Sequence, residues 1–249
     1  MASYQNDNKY IQVIPFLYDD VRSFSGGVAA ASINDKWGII DKAGNNVGVI
    51  DEQVSTREPV GFFNWDYYRA QNESEGLKLD SDDNGHQVAY FFIDKRTGKI
   101  IYVCSKIRGF SEGMAAVCQS NEFWDGFRIR RKSSARWGFI DRTGKEVIEL
   151  KYNAAGDFHE GLAAVMIGGK WGYIDKTGEP IVSLKYSDAQ PFFEGAALIR
   201  LNGRYGFINK EGDKLVPIKY EDARSFSEGL AAVKLNGKWG FISLVKETE

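Results

Sequence analysis

Cysteine is nearly missing from this chain. Its 249 residues hold two, Cys104 and Cys118, too few for a disulfide scaffold. They fall at no equivalent points of the repeat described below, so both read as small buried hydrophobes. Histidine is as scarce, with His86 and His159 set apart at no metal-ligand spacing. Proline numbers five, and no Pro/Ser-rich linker divides the chain. Neither sign of charge dominates, with 32 basic against 34 acidic residues, so bulk electrostatics point neither to nucleic acid nor to an anionic membrane. No apolar run approaches the ~18 residues of a membrane span. The polar opening Met1-Ala2-Ser3-Tyr4-Gln5-Asn6-Asp7-Asn8 lacks a basic head and an apolar run, and the expected setting is the cytoplasm. A Gly-Lys-Ser/Thr phosphate loop and a Gly-x-Ser-x-Gly elbow are both missing. The expectation is therefore no enzyme, no cofactor and no metal.

What the chain has is repetition. Lys170-Trp171-Gly172-Tyr173-Ile174-Asp175 recurs around Trp37, Trp137, Tyr205 and Trp239, with a worn copy at Ala89-Tyr90-Phe91-Phe92-Ile93-Asp94. Positions 137, 171, 205 and 239 are 34 residues apart, and a fixed period in this range marks a repeat architecture.

Leu230-Ala231-Ala232-Val233-Lys234-Leu235 (strand A), Asn236-Gly237 and Lys238-Trp239-Gly240-Phe241-Ile242 (strand B) read as a hairpin with a two-residue turn. The register that follows sets Lys234 opposite Trp239, Val233 opposite Gly240 and Ala232 opposite Phe241. Gly240 reads as room for close packing. An Asp-Lys/Arg-x-Gly turn, as at Asp175–Gly178, leads into a third apolar run such as Pro180-Ile181-Val182 (strand C). The next segment, Tyr-x-x-Ala-x-x-Phe-x-Glu-Gly, spaces its marked residues by three, as in Tyr152, Ala155 and Phe158. That suits one tight helical turn or a compact loop, with aromatics plugging the seam between units. Glu112, Glu160, Glu194 and Glu228 precede Gly at one slot; a ladder of equivalents reads as turn and capping groups rather than a catalytic pair.

These blocks (Lys/Arg-Trp-Gly-aromatic-Ile-Asp, Thr-Gly, and Phe-x-Glu-Gly-Leu-Ala-Ala-Val) resemble the WG-repeat family of tryptophan–glycine β repeats, common in bacterial proteins. The resemblance covers residues 13–50 and 90–243. It implies a β repeat with binding or scaffolding duty and carries no catalytic residue across.

The expected fold is all-β: one domain, 1–249, of six three-stranded antiparallel meanders at 13–50, 51–103, 104–150, 151–184, 185–218 and 219–243. Insertions fall at 52–83 and 119–135. The repeat core is assigned to Trp37, Trp137, Trp171, Tyr205, Trp239, Phe158, Phe192 and Phe226, with stacking expected to bury each Trp. The chain opens on a strand C ending at Tyr18 and stops after strand B at Ile242, ends that a closed ring could join. Three strands are fewer than an ordinary propeller blade has. An open curved array is expected, with a closed six-unit propeller-like ring as the alternative.

Function falls to the insertions, because loops carry binding in repeat proteins. In the third unit, Trp124, Arg128, Arg130, Arg131 and Lys132 suit an acidic protein surface, or a nucleic-acid backbone with stacking; a lengthened hairpin with solvated charges is the bland account. In the second, Trp65, Tyr67 and Tyr68 suit a carbohydrate or peptide groove, or a satellite core under a long loop. Asp80-Ser81-Asp82-Asp83-Asn84-Gly85 opens like a calcium loop, but Phe91 stands where the bidentate Glu belongs; a wide hairpin tip explains it. The leading expectation is a non-catalytic scaffold whose partner is another protein. Nucleic-acid or carbohydrate/small-ligand binding is the alternative.

Overall fold

The computed structural model describes residues 9–49, 77–83, 88–94, 96–98, 100–104, 106–119, 122–124, 129–131 and 135–245. Every regular element among them is a β-strand. No helix among them is long and apolar enough to cross a membrane. The chain divides into two compact units, Met1–Glu58 with Tyr186–Glu249, and Pro59–Lys185.

In the second unit, but for the last residue Tyr186, Ala154–His159, Leu162–Ile167, Lys170–Ile174 and Pro180–Tyr186 form a four-stranded antiparallel sheet in chain order. Lys106–Ser111, Met114–Gln119, Arg136–Asp141 and Glu146–Tyr152 form another, and Leu77–Asp83, Val88–Asp94 and Ile100–Cys104 a three-stranded one. In the first unit, Asp20–Val21, Val28–Ile33, Lys36–Asp41 and Asn46–Val49 make one four-stranded sheet. Asp188–Phe193, Ala196–Leu201, Arg204–Ile208 and Lys214–Tyr220 make a second. The last takes Asp222–Ala223, Ala231–Leu235 and Lys238–Leu244 from one end of the chain and Tyr10–Tyr18 from the other. Among the described residues no sheet closes on itself as a barrel would.

The expected three-stranded unit is thus corrected to four strands in five of the described sheets. The added strand is the Tyr-x-x-Ala-x-x-Phe segment, expected as a helical turn or loop. It runs ahead of strand A and is called here the leading strand. Its spacing of three comes from a bulge: Ala155 pairs with Val165 and Phe158 with Ala163, three residues against two. The extra residue turns an odd spacing into one face, and both Ala155 and Phe158 are buried. Ala189 and Phe192 repeat the device against Ile199 and Ala197.

The A–B register is as expected, with Lys234 opposite Trp239, Val233 opposite Gly240 and Ala232 opposite Phe241. The Asp turns form too. Asp141 accepts the N–H of Thr143 at 2.8 Å and of Lys145 at 3.1 Å through its carboxylate, and its carbonyl accepts the N–H of Gly144 at 3.0 Å.

The core is aromatic, but most of the repeat indoles are not at its centre. The residue after the repeated glycine is fully enclosed in the last four repeats: Phe139, Tyr173, Phe207 and Phe241 are at most 1% exposed, whereas Ile39 of the first is half-buried. Phe158, Phe192 and Phe226 are buried as well, and so is Trp239. Trp37, Trp137, Trp171 and Tyr205 are only half-buried, which corrects the expectation that stacking covers every Trp. Trp171 pairs with Met166, close to the Gly168-Gly169 hairpin end, whereas Tyr173 lies two residues further into the sheet. The repeating indole therefore sits at the rim and its neighbour at the centre.

Successive repeats meet ring to ring. Phe139 of the third repeat meets Phe158 of the fourth edge-on, with centroids 4.9 Å apart. Phe207 and Phe226 repeat this between the fifth and sixth at 4.9 Å, and Phe241 of the sixth meets Phe24 of the first at 5.0 Å. Edge-to-face pairs of this kind add about 0.5–1.5 kcal/mol beyond area burial.

Candidate interaction surface

The glutamate slot shows how repeats are joined. Glu112, Glu160, Glu194 and Glu228 sit at φ of 52–54°, a left-handed conformation that costs an L-residue roughly 1–2 kcal/mol. The carboxylates reach forward to the next repeat. Glu112 accepts the N–H of Gly161 at 3.0 Å, and Glu194 that of Gly229 at 2.8 Å. Glu228 accepts Gly26 at 2.6 Å and Gly27 at 2.9 Å. A lysine from the next repeat's Asp turn completes the clamp: Lys176 lies 3.1 Å from the Glu112 carboxylate and Lys42 3.2 Å from that of Glu228. Each lysine also donates to the same glutamate's carbonyl, at 2.9 Å in both cases. Burial pushes the Glu112 carboxyl upward, but Lys176 and the Gly161 N–H outweigh it, so its pKa is lowered. Glu228 is lowered too, by the Gly27 N–H and then Lys42. The serine after the leading-strand Phe adds a second tie: Ser111 Oγ donates to the Phe158 carbonyl at 2.6 Å, and Ser227 Oγ to that of Phe24 at 2.8 Å. The glutamates are turn groups, as expected, and inter-repeat ties as well.

Arginines lie over three of the repeat indoles, the half-buried Trp37 and Trp137 and the buried Trp239. Arg22 lies over Trp37 at 5.2 Å, Arg108 over Trp137 at 5.8 Å and Arg224 over Trp239 at 5.5 Å. All three arginines follow the Ala/Val/Ile slot of the leading strand, a periodicity the sequence carries but the Trp motif overshadows. Arg22 and Arg224 both approach Asp20, at 3.4 and 3.8 Å, and Arg108 approaches Asp157 at 3.8 Å. These groups serve packing at the rim.

The third-repeat insertion is different. Its A and B strands pair without interruption from Met114 opposite Asp141 to Gln119 opposite Arg136. The sheet is therefore finished before the insertion begins. Beyond it, Glu122–Trp124 and Ile129–Arg131 form a two-stranded sheet of their own, with Glu122 opposite Arg131, Phe123 opposite Arg130 and Trp124 opposite Ile129. Arg128 and Lys132 lie outside the described residues, as do Trp65, Tyr67, Tyr68 and His86.

Asp80, Ser81, Asp82 and Asp83 belong to a paired strand, with Asp83 opposite Val88, as a hairpin has them. No cluster of three or more metal-ligating side chains occurs among the described residues. Cys118 is a free, buried thiol whose pKa is raised by burial, the reverse of an activated nucleophile.

A family model described as WG containing repeat matches residues 12–37, 90–123, 137–171, 171–205 and 205–239. No curated protein matches the chain in sequence. Among solved structures, the Dos1 propeller is 12% identical at a TM-score of 0.35, over 91% of this chain and 77% of its own. The BBS1N chain solved with ARL6DN is 11% identical at 0.33, over 93% and 80%. The AfRom2 CNH domain is 8% identical at 0.30, over 100% and 87%. Likenesses this low carry no weight for the arrangement of this chain.

Proposed function

Starting from a chain that belongs to the family of WG containing repeats, we propose a non-catalytic repeat module that binds another protein through the insertion of its third repeat. One observation carries this: the third-repeat hairpin is complete at Gln119 opposite Arg136, so the ribbon beyond it adds nothing to the sheet. A basic, aromatic-bearing ribbon that the fold does not need is available for recognition. Arg130, Arg131 and Trp124, with Arg128 and Lys132 in the same stretch, suit a partner surface rich in carboxylates; Arg and aromatic residues are the usual anchors of such contacts.

The test compares the full chain with a variant carrying Asn-Gly in place of 120–135, and with an Arg130→Glu/Arg131→Glu double variant. All three serve as bait in extract from the source cells. The expected result is equal melting temperatures, with one or more proteins held by the unaltered chain alone and released by salt. Identical captures by all three baits would remove the insertion as the interface. Capture abolished by nuclease treatment would make the ligand nucleic acid.

A further inference from the structure

The outer strands of four sheets share one pattern around a buried residue four places before a buried tyrosine. The pairs are Ile148 and Tyr152, Val182 and Tyr186, Val216 and Tyr220, and, at the start of the chain, Ile14 and Tyr18. In the first three, the positions three before and three after the central residue are exposed and charged: Lys145 and Lys151, Glu179 and Lys185, Asp213 and Lys219. Charges on an exposed edge are the usual protection against pairing with another chain. The N-terminal strand has Ile11 and Leu17 at those two places, 53% and 54% exposed. Tyr10–Tyr18 contains no charged residue at all, and among the described residues no strand pairs with its outer edge.

The spacing points to one occupant. Two copies of this strand, antiparallel and related by a two-fold axis at Ile14, bring Ile11 of each opposite Leu17 of the other. A two-fold interface requires such self-complementarity, and the two substituted positions are the pair the axis exchanges. We infer that this edge is where a second copy of the chain docks, forming a symmetric dimer held by Ile11 and Leu17. Pro15 lacks an N–H and interrupts the main-chain ladder, so the four apolar side chains supply most of the attraction. A strand of nine residues spans about 30 Å, which makes a small and reversible interface. This inference stands apart from the insertion and its partner.

Sedimentation or light scattering across a concentration series tests it on the full chain. The mass of the unaltered protein should rise from 27.9 kDa towards twice that value. Leu17→Lys installs the residue found at this slot in three other strands, so folding should survive, with an unchanged melting temperature as the check. Leu17→Lys and Ile11→Lys should each hold the mass at one chain. Val47→Lys, at another exposed apolar position, should leave the dimer intact. An unaltered protein of constant single-chain mass overturns the inference, and so does a Leu17→Lys variant that dimerises as before.

Discussion

The carboxylate of Glu228 accepts the backbone N–H of Gly27 at 2.9 Å across 201 residues of sequence. It ties the last repeat to the first by the same contact that Glu112 makes with Gly161 between consecutive repeats. Both carboxyls titrate below their ordinary value. A folded-state pKa below the unfolded one gives stability that is present above the unfolded value and lost as pH falls through the folded one. Glu228→Gln should therefore lower the melting temperature at neutral pH. The gap from the unaltered protein should begin to narrow near the ordinary carboxylate value, about pH 4, and close as pH falls further through the lowered folded-state value. Melting curves at a series of pH values check this; a gap that persists unchanged into acid counts against the charged clamp.

Burial predicts an order of sensitivity among the aromatics. Phe158 is fully enclosed, and Phe158→Ala should cost about 3–5 kcal/mol. Trp171 is half-buried at the rim, and Trp171→Ala should cost less, about 1.5–3 kcal/mol. Urea unfolding of both variants gives the comparison. A larger loss at Trp171 would restore the indoles to the centre of the core.

The glycine of the WG pair leaves space for backbone. A Cβ built on Gly240 would lie 2.7 Å from the carbonyl oxygen of Ile14 and 3.0 Å from the Phe16 ring. Strand C bulges against strand B here, with Ile14 opposite Phe241 and Tyr18 opposite Trp239, and the bulge brings main chain over the glycine. Gly240→Ala should destabilise by about 1–3 kcal/mol through overpacking. Equilibrium unfolding measures it, and a neutral result would mean the bulge yields freely.

Ile14 is fully buried in a core shared with Trp239 and Phe241. Ile14→Ala should cost about 2–5 kcal/mol. The loss should register in the fluorescence of Trp239, because the strand that covers it is loosened. Unfolding followed by tryptophan emission is the measurement.

Hairpins were legible because their chemistry is local. Asn236-Gly237 fixes the turn, and the turn fixes the pairing of Val233 with Gly240. The seam role of the leading-strand Phe was legible as well, and Phe226 against Phe207 bears it out. The leading strand itself was hidden by its bulge. Ala155 and Phe158 share a face only because the partner strand is one residue shorter between them, and no window of a single strand shows that. The rim position of Trp171 was hidden for a related reason. Distance from a hairpin end decides it, and recurrence marks Trp171 and Tyr173 alike. The completion of the last sheet by Tyr10–Tyr18 was half visible, since Val13-Ile14-Pro15-Phe16-Leu17-Tyr18 matches Leu215-Val216-Pro217-Ile218-Lys219-Tyr220.

The sheet that joins the two ends of the chain also sets a timetable for synthesis. Ile14 finds its neighbour Phe241 only after more than 200 further residues have been translated, roughly 10–40 s at ribosomal speed. Throughout that interval the uncharged strand Tyr10–Tyr18 waits without its mate. The nascent polypeptide thus carries this uncharged strand unpaired for most of its synthesis, and slow elongation or a premature stop would leave it open to capture by chaperones or by its own kind.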